Sequence, residues 1–194
     1  MRGNIFIITG PSGVGKTTIA NELLKRRPQL KKVVTYTTRP SRPGETDGIS
    51  YHFVDEATLT SLLNAGELFE SARVYDTLYG SKKSDVEKLL LAGNDVLFVI
   101  DVQGAKTIQQ EHPETIVIFI DAESDETLMK HLTARDQGKT VNLEERMRAI
   151  KNERDYGASC RYRVVNQEGN LENTVEEVLR IMDSLVTSLA SDVT

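Results

Sequence analysis

Two short stretches of this chain carry residue types suited to chemistry on phosphate. The first is GPSGVGKT, Gly10 to Thr17, which fits the pattern G-x-x-x-x-G-K-[ST]. Its glycines let backbone N–H groups turn inward around phosphate oxygens. A helix starting at its end directs the positive end of its dipole at the same oxygens. Gly10, Pro11, Ser12, Gly13, Val14 and Gly15 form the cradle, and Thr18 follows it on the helix. Lys16 reaches the β- and γ-phosphates, and the Thr17 hydroxyl joins a Mg²⁺ shell. The expected ligand is a nucleoside triphosphate, ATP with Mg²⁺. The second stretch is TYTTRPSRPGETDGISYHF, residues 35–53, where Arg39, Arg42, Tyr51 and several hydroxyl groups share a Pro- and Gly-broken loop. In a chain of net charge −5 an anion site must be built locally, and this loop has the parts for one. Glu45 and Asp47 in the same loop read as solvated or locally paired.

Two carboxylates add a second kind of chemistry. Asp101 ends the apolar run VLFVID, where ligands of open α/β sheets collect, and Glu70 lies in the strand-like GELFESARVY. Carboxylates only accept hydrogen bonds, so a pair meeting across a cleft selects a donor-rich ligand face. Guanine offers N1–H beside a 2-amino group. Adenine offers neither, which leaves each buried carboxylate unpaired at about 1–3 kcal/mol.

The elements that must position these groups follow from the hydrophobic pattern. NIFIIT (4–9), DVLFVID (95–101), TIVIFID (115–121) and RYRVVN (161–166) read as buried strands. Helical patterns lie near 16–27, 104–111, 124–135, 142–156 and 171–190. Near-continuous apolar strands separated by helices indicate an α/β fold with a parallel sheet. Residues 35–82 break that rhythm with turn residues, strand-like YHFV and LFESARVY, and a helix beginning near Asp55. A second break, 130–154, carries a local excess of basic residues.

Composition limits the function classes. The chain has 194 residues, 39% hydrophobic and 27% charged, which suits an ordinary globular protein with a full core. With 24 basic against 29 acidic residues it does not suit a general nucleic-acid or membrane-surface binder. Cys160, the sole cysteine, leaves no intrachain disulfide. NIFIIT is too short for a signal-peptide core, and the longest apolar runs are of strand length. The expected location is cytoplasmic.

With these residues in place, the chain resembles the guanylate kinases over nearly its whole length. The resemblance rests on ITGPSGVGKTT, TTRPSRPGETDGISYHFV, AGELFESARV, LYGSKKSDVE, VLFVIDVQGAK and VVN, in family order and spacing. It implies a single domain with three parts: a P-loop three-layer α/β/α core with a parallel sheet (1–34, 83–125 and 157–194), an inserted mixed α+β lobe for a nucleoside monophosphate (35–82), and a helical lid (126–156). The implied reaction moves the γ-phosphoryl group of ATP to GMP. By the same resemblance Arg39, Arg42, Tyr51 and Tyr79 hold the GMP phosphate, and Thr35, Glu70, Ser81 and Asp101 contact guanine. Asp101 also orients a Mg²⁺-bound water, and Asn166 lies on the adenine side. Lys16, Arg39, Arg42, Arg135 and Arg146 neutralise the transferring charge, the last two from the lid. The implied partners are ATP and GMP, with no nucleic acid and no membrane, while the oligomeric state stays open. Ser71 and His131 stand where the family commonly carries Trp and Arg. His52, Tyr75 and His131 read as structural or exposed, since no metal or triad constellation surrounds them.

Two other readings fit parts of the pattern. A P-loop kinase for another phosphorylated acceptor, such as a ribose phosphate, has no use for a Glu70–Asp101 acidic face. A non-catalytic guanylate-kinase-like interaction module typically lacks the loop lysine, which is present here as Lys16.

Overall fold

The structure, a computed structural model, describes residues 2–74, 76–135 and 143–191. In chain order the first elements are β1 (Ile5–Thr9), α1 (Lys16–Arg26), β2 (Leu30–Lys32), β3 (Tyr36–Thr37), β4 (His52–Phe53) and α2 (Glu56–Asn64). They are followed by β5 (Leu68–Val74), β6 (Thr77–Lys82), α3 (Lys83–Leu91), β7 (Asp95–Val99) and α4 (Val102–Glu111). The last are β8 (Ile116–Ala122), α5 (Asp125–Arg135), α6 (Leu143–Ser159), β9 (Tyr162–Asn166) and α7 (Leu171–Ser191). The main sheet has the order β2-β7-β1-β8-β9, and its described pairings, β2–β7 and β8–β9, are parallel. Strand and helix alternate as the apolar pattern predicts, and β1 and β8 are buried along their whole length. The strands β2 and β6 were not legible. LKK and TLYGSK hold too few apolar residues to stand out from loops.

The chain divides into two compact units. The first is built from residues up to 6, 29–98 and 103–116. Its smaller sheet has the order β4-β3-β6-β5, with β3–β4 parallel and the other pairings antiparallel. Asp55 caps α2 by accepting from the Thr58 N–H at 2.7 Å, which is why the helix begins there. Leu59 from α2 is fully buried with Leu68 and Leu78, and Tyr36, Val54 and Leu62 pack around them. This small core lets a polar segment hold a defined shape.

The second unit contains residues 7–28, 99–102 and 117 onward. Within it, α6 is seated on β8 by two contacts. A Cβ on Gly157 would lie 2.4–2.6 Å from the Phe119 ring, so only glycine allows this approach. Three residues earlier, Arg154 Nε donates to Asp121 Oδ1 at 2.8 Å and its terminal nitrogens donate to Asp125 and to the Ala122 carbonyl. Arg163 on β9 donates to the other Asp121 oxygen at 2.5 Å. Burial alone would raise the Asp121 pKa, but the two guanidinium groups and the Ala122 N–H offset it and hold it below the usual value.

Removing one partner of a buried pair costs about 3–5 kcal/mol. Here Arg163 reaches solvent and Arg154 retains Asp125, so Asp121→Asn is expected to lower stability by less, about 2 kcal/mol. Urea unfolding with an unchanged m-value will read this loss.

Candidate active site

The glycine loop lies in the second unit, between β1 and α1. The strand turns at Gly10, where a Cβ would sit 2.0 Å from the Ile120 carbonyl oxygen; no side chain fits. Gly15 adopts φ 94°, which glycine alone takes without strain, and it stands at the N-cap of α1. No side chain caps the helix, and its first turn carries no acidic residue. Its leading N–H groups are therefore offered to an external anion. Lys16 Nζ donates to the Gly10 and Pro11 carbonyls at 2.5 and 3.0 Å, so the lysine folds back along its own loop. Thr17 and Thr18 are exposed on the first turn, and Pro11 and Val14 are buried beneath the loop.

Three further residues of this unit bear on the loop. Asn166 Nδ2 donates to the Val14 carbonyl at 2.9 Å, and the His131 ring nitrogen Nδ1 lies 3.0 Å from the Gly13 carbonyl. Glu153 on α6 has its carboxyl pushed up to about 7. Burial is the main cause, opposed by the charge of Lys16, reinforced by Asp101 and opposed again by the Ser12 N–H. Asp101 is half-buried at the residue before α4.

The arginine-bearing loop lies in the first unit. Arg39 forms a two-pronged pair with Glu45, with both N–O distances 2.6 Å, and also donates to the Pro40 carbonyl at 2.9 Å. Its guanidinium stacks over the Tyr51 ring at 4.8 Å, and Tyr51 and Tyr79 have ring centroids 6.2 Å apart. Hydrogen bonding to Glu45, against a desolvation cost, raises the Arg39 pKa, and Tyr79 adds to the rise. Burial pushes the Tyr51 phenol up. The Arg39 side chain is 10% exposed, and its buried Nε has no hydrogen-bond partner among the described residues. A buried donor without an acceptor is costly. Glu45 also accepts from the Arg42 N–H at 2.8 Å, while the Arg42 side chain is exposed.

On the same small sheet, Glu70 is 3% exposed and accepts from Ser81 Oγ at 2.8 Å, the two being register partners across β5–β6. Thr35 is buried next to β3. The structure thus gathers Arg39, Tyr51 and Tyr79 in one cluster and Glu70 with Ser81 in another. Arg135 closes α5 and Arg146 lies in the first turn of α6, but their side chains fall outside the described residues. Tyr75 lies outside them too.

A family model described as guanylate kinase matches residues 2–185. The chain belongs to the guanylate kinase family. A guanylate kinase of Methylobacillus flagellatus is 39% identical over 184 residues, which covers 95% of this chain and 90% of the other. One of Coxiella burnetii is 36% identical over 183 residues, covering 94% and 88%. The crystal structure of guanylate kinase from Anaplasma phagocytophilum matches with a TM-score of 0.75 at 29% identity, over 94% of this chain and 86% of that one. The α/β architecture with its mostly parallel sheet is the one this guanylate kinase structure shares.

Against that family background, Glu45, Glu153 and His131 are the residues that sequence reasoning left without a role. Glu45 had one signal: a carboxylate six residues after an arginine, with Pro43 and Gly44 between to turn the chain back. The other two act on groups more than fifty residues away and left none.

The Arg39 partnership holds the Glu45 carboxyl below the usual glutamate range. Its contribution is therefore complete above that range and is lost as pH falls through the lower value of the folded state. Glu45→Gln is expected to melt below wild type at about pH 7, with the gap closing towards about pH 3. A gap independent of pH in calorimetric scans would contradict the pairing.

Proposed function

We propose that the protein transfers the γ-phosphoryl group of ATP to GMP, giving ADP and GDP. The observation that carries this reading is the buried Glu70–Ser81 pair on the small sheet that also bears Tyr79 and is flanked by Arg39 and Tyr51. A base whose edge donates hydrogen bonds satisfies Glu70, and a phosphate dianion satisfies the arginines and phenols. GMP has both in one molecule. In this reading Thr35 and Asp101 complete the guanine contacts, and Arg42 joins Arg39 on the phosphate.

Phosphoryl transfer asks mainly for positioning and charge neutralisation. An oxygen of the GMP phosphate attacks the γ-phosphorus, the bond from that phosphorus to the β–γ bridging oxygen breaks, and its electron pair leaves with ADP. No general base is required, because the attacking oxygen is already ionised near neutral pH. Lys16 moves from its loop carbonyls to the β- and γ-phosphates, and the uncapped N–H groups of α1 take up phosphate oxygens. Arg39, Arg42, Arg135 and Arg146 spread the charge of the transferring group.

The described residues hold no cluster of three or more His, Cys, Asp or Glu that would bind a metal by itself. A hydroxyl and a water-bridging carboxylate suit Mg²⁺, which keeps waters and phosphate oxygens as ligands. Thr17 would hold it, with Asp101 through water, and the ion would supply neutralisation of phosphate charge. No described helix is long and apolar enough to cross a membrane. The reading assigns the protein to purine nucleotide metabolism in the cytoplasm.

ADP release measured with GMP, AMP, CMP and UMP is expected to show strong selection for GMP. Glu70→Ala should raise the KM for GMP at least about tenfold and leave that for ATP in place. Comparable rates with AMP would sink the guanine assignment.

A further inference from the structure

The glycine loop presents N–H groups inward only if its peptide planes are turned the right way. In a trans peptide the carbonyl of one residue and the N–H of the next point in opposite directions. Whatever holds a loop carbonyl outward therefore aims the following N–H inward. Two consecutive carbonyls of this loop are held in that way. Gly13 O lies 3.0 Å from His131 Nδ1 on α5, and Val14 O accepts from Asn166 Nδ2 at 2.9 Å at the end of β9. A carbonyl oxygen only accepts, so His131 carries its proton on Nδ1. The other end of the Asn166 amide is also committed, with Oδ1 accepting from Thr174 Oγ1 at 3.0 Å. Asn166 comes so close that a Cβ on Gly15 would lie 2.9 Å from its amide nitrogen. The Val14 N–H is meanwhile directed at the Pro11 carbonyl across the loop, at 3.3 Å, the long end of the hydrogen-bond range.

We propose that His131 and Asn166 are positioning residues of the donor site, which fix the peptide planes of Gly13–Val14 and Val14–Gly15 so that the Val14 N–H closes the loop on the Pro11 carbonyl and the Gly15 N–H faces the phosphates of the donor. The inference rests on reading Gly10–Thr17 as that donor's site. It gives Asn166 a task other than touching adenine, and it gives His131 a task in place of a merely structural one. Both act through the loop backbone, so their effect falls on the phosphate chain whatever base it carries. The half-buried imidazole and the doubly anchored amide also tie the loop to α5 and β9.

The test separates phosphate from base. Binding of Mg·ATP and of Mg·tripolyphosphate, which has no base, is measured by calorimetry on the intact chain. His131→Leu and the isosteric Asn166→Asp are each expected to weaken both ligands by a similar factor, about tenfold, the scale of one lost buried hydrogen bond. His131→Asn, whose amide nitrogen can take the place of Nδ1, is expected to stay within about twofold of wild type. In turnover the KM for ATP rises in the two weakened variants while the KM for GMP is unchanged. Weaker ATP with unchanged tripolyphosphate would overturn the proposal, since the side chains would then be reading the base. Unchanged binding of both ligands would overturn it as well. Because the binding arms use no GMP, a protein that binds Mg·ATP but does not phosphorylate GMP would refute the proposed reaction alone.

Discussion

The constraint on which the glycine loop depends is the lack of room at Gly10. The backbone there runs so close to the Ile120 carbonyl that even a methyl group would overlap it. That closeness lets β1 end beneath the loop and bend without moving away from its neighbour. The bend in turn delivers Gly15 to the N-cap of α1 in a left-handed conformation, leaving the helix with bare N–H groups. A helix start without a capping side chain is ordinarily a small loss of stability, about 1 kcal/mol. Here the bare helix start is retained, and burial of Ile5 to Thr9 along β1 holds it in place.

The arginine-bearing loop solves a different problem. A guanidinium group whose side chain is 10% exposed carries a desolvation penalty. Glu45 offsets that penalty by pairing with Arg39 and, through the same carboxylate, fixes the backbone of Arg42. The charge of Arg39 is thus neutralised within its own loop. The rings of Tyr51 and Phe53 shield the same guanidinium, at 4.8 and 5.7 Å. Within this loop the Arg39 cation is paired locally, and one donor, its Nε, has no hydrogen-bond partner among the described residues.

How much of this was legible in the sequence depended on range. The glycine loop reads from eight consecutive residues because its chemistry is local and its spacing is set by the backbone. The helix at Asp55 was legible for the same reason: a capping aspartate acts three residues ahead. Glu70 and Ser81 were each legible only through a resemblance, as guanine contacts, and their pairing was not, since the sequence does not print the β5–β6 register, which a bulge between Leu68 and Glu70 shifts. His131 and Glu153 were illegible. Their partners lie 118 residues away in one case and at Lys16, Ser12 and Asp101 in the other. The seat of α6 on Phe119 and Asp121 brings Glu153 to the loop, and neither Gly157 nor Arg154 announces that seat in the pattern of the helix.

The folded-back Lys16 has a consequence for the loop itself. Its ammonium group rests on two carbonyl oxygens of the loop that carries it. Those oxygens thus receive a cationic donor from the same short stretch of sequence. Side-chain rotation takes nanoseconds or less, so this contact can form and break without any rearrangement of the backbone. The lysine acts as a latch on its own loop, and the fixed carbonyls set one place where its charge can rest.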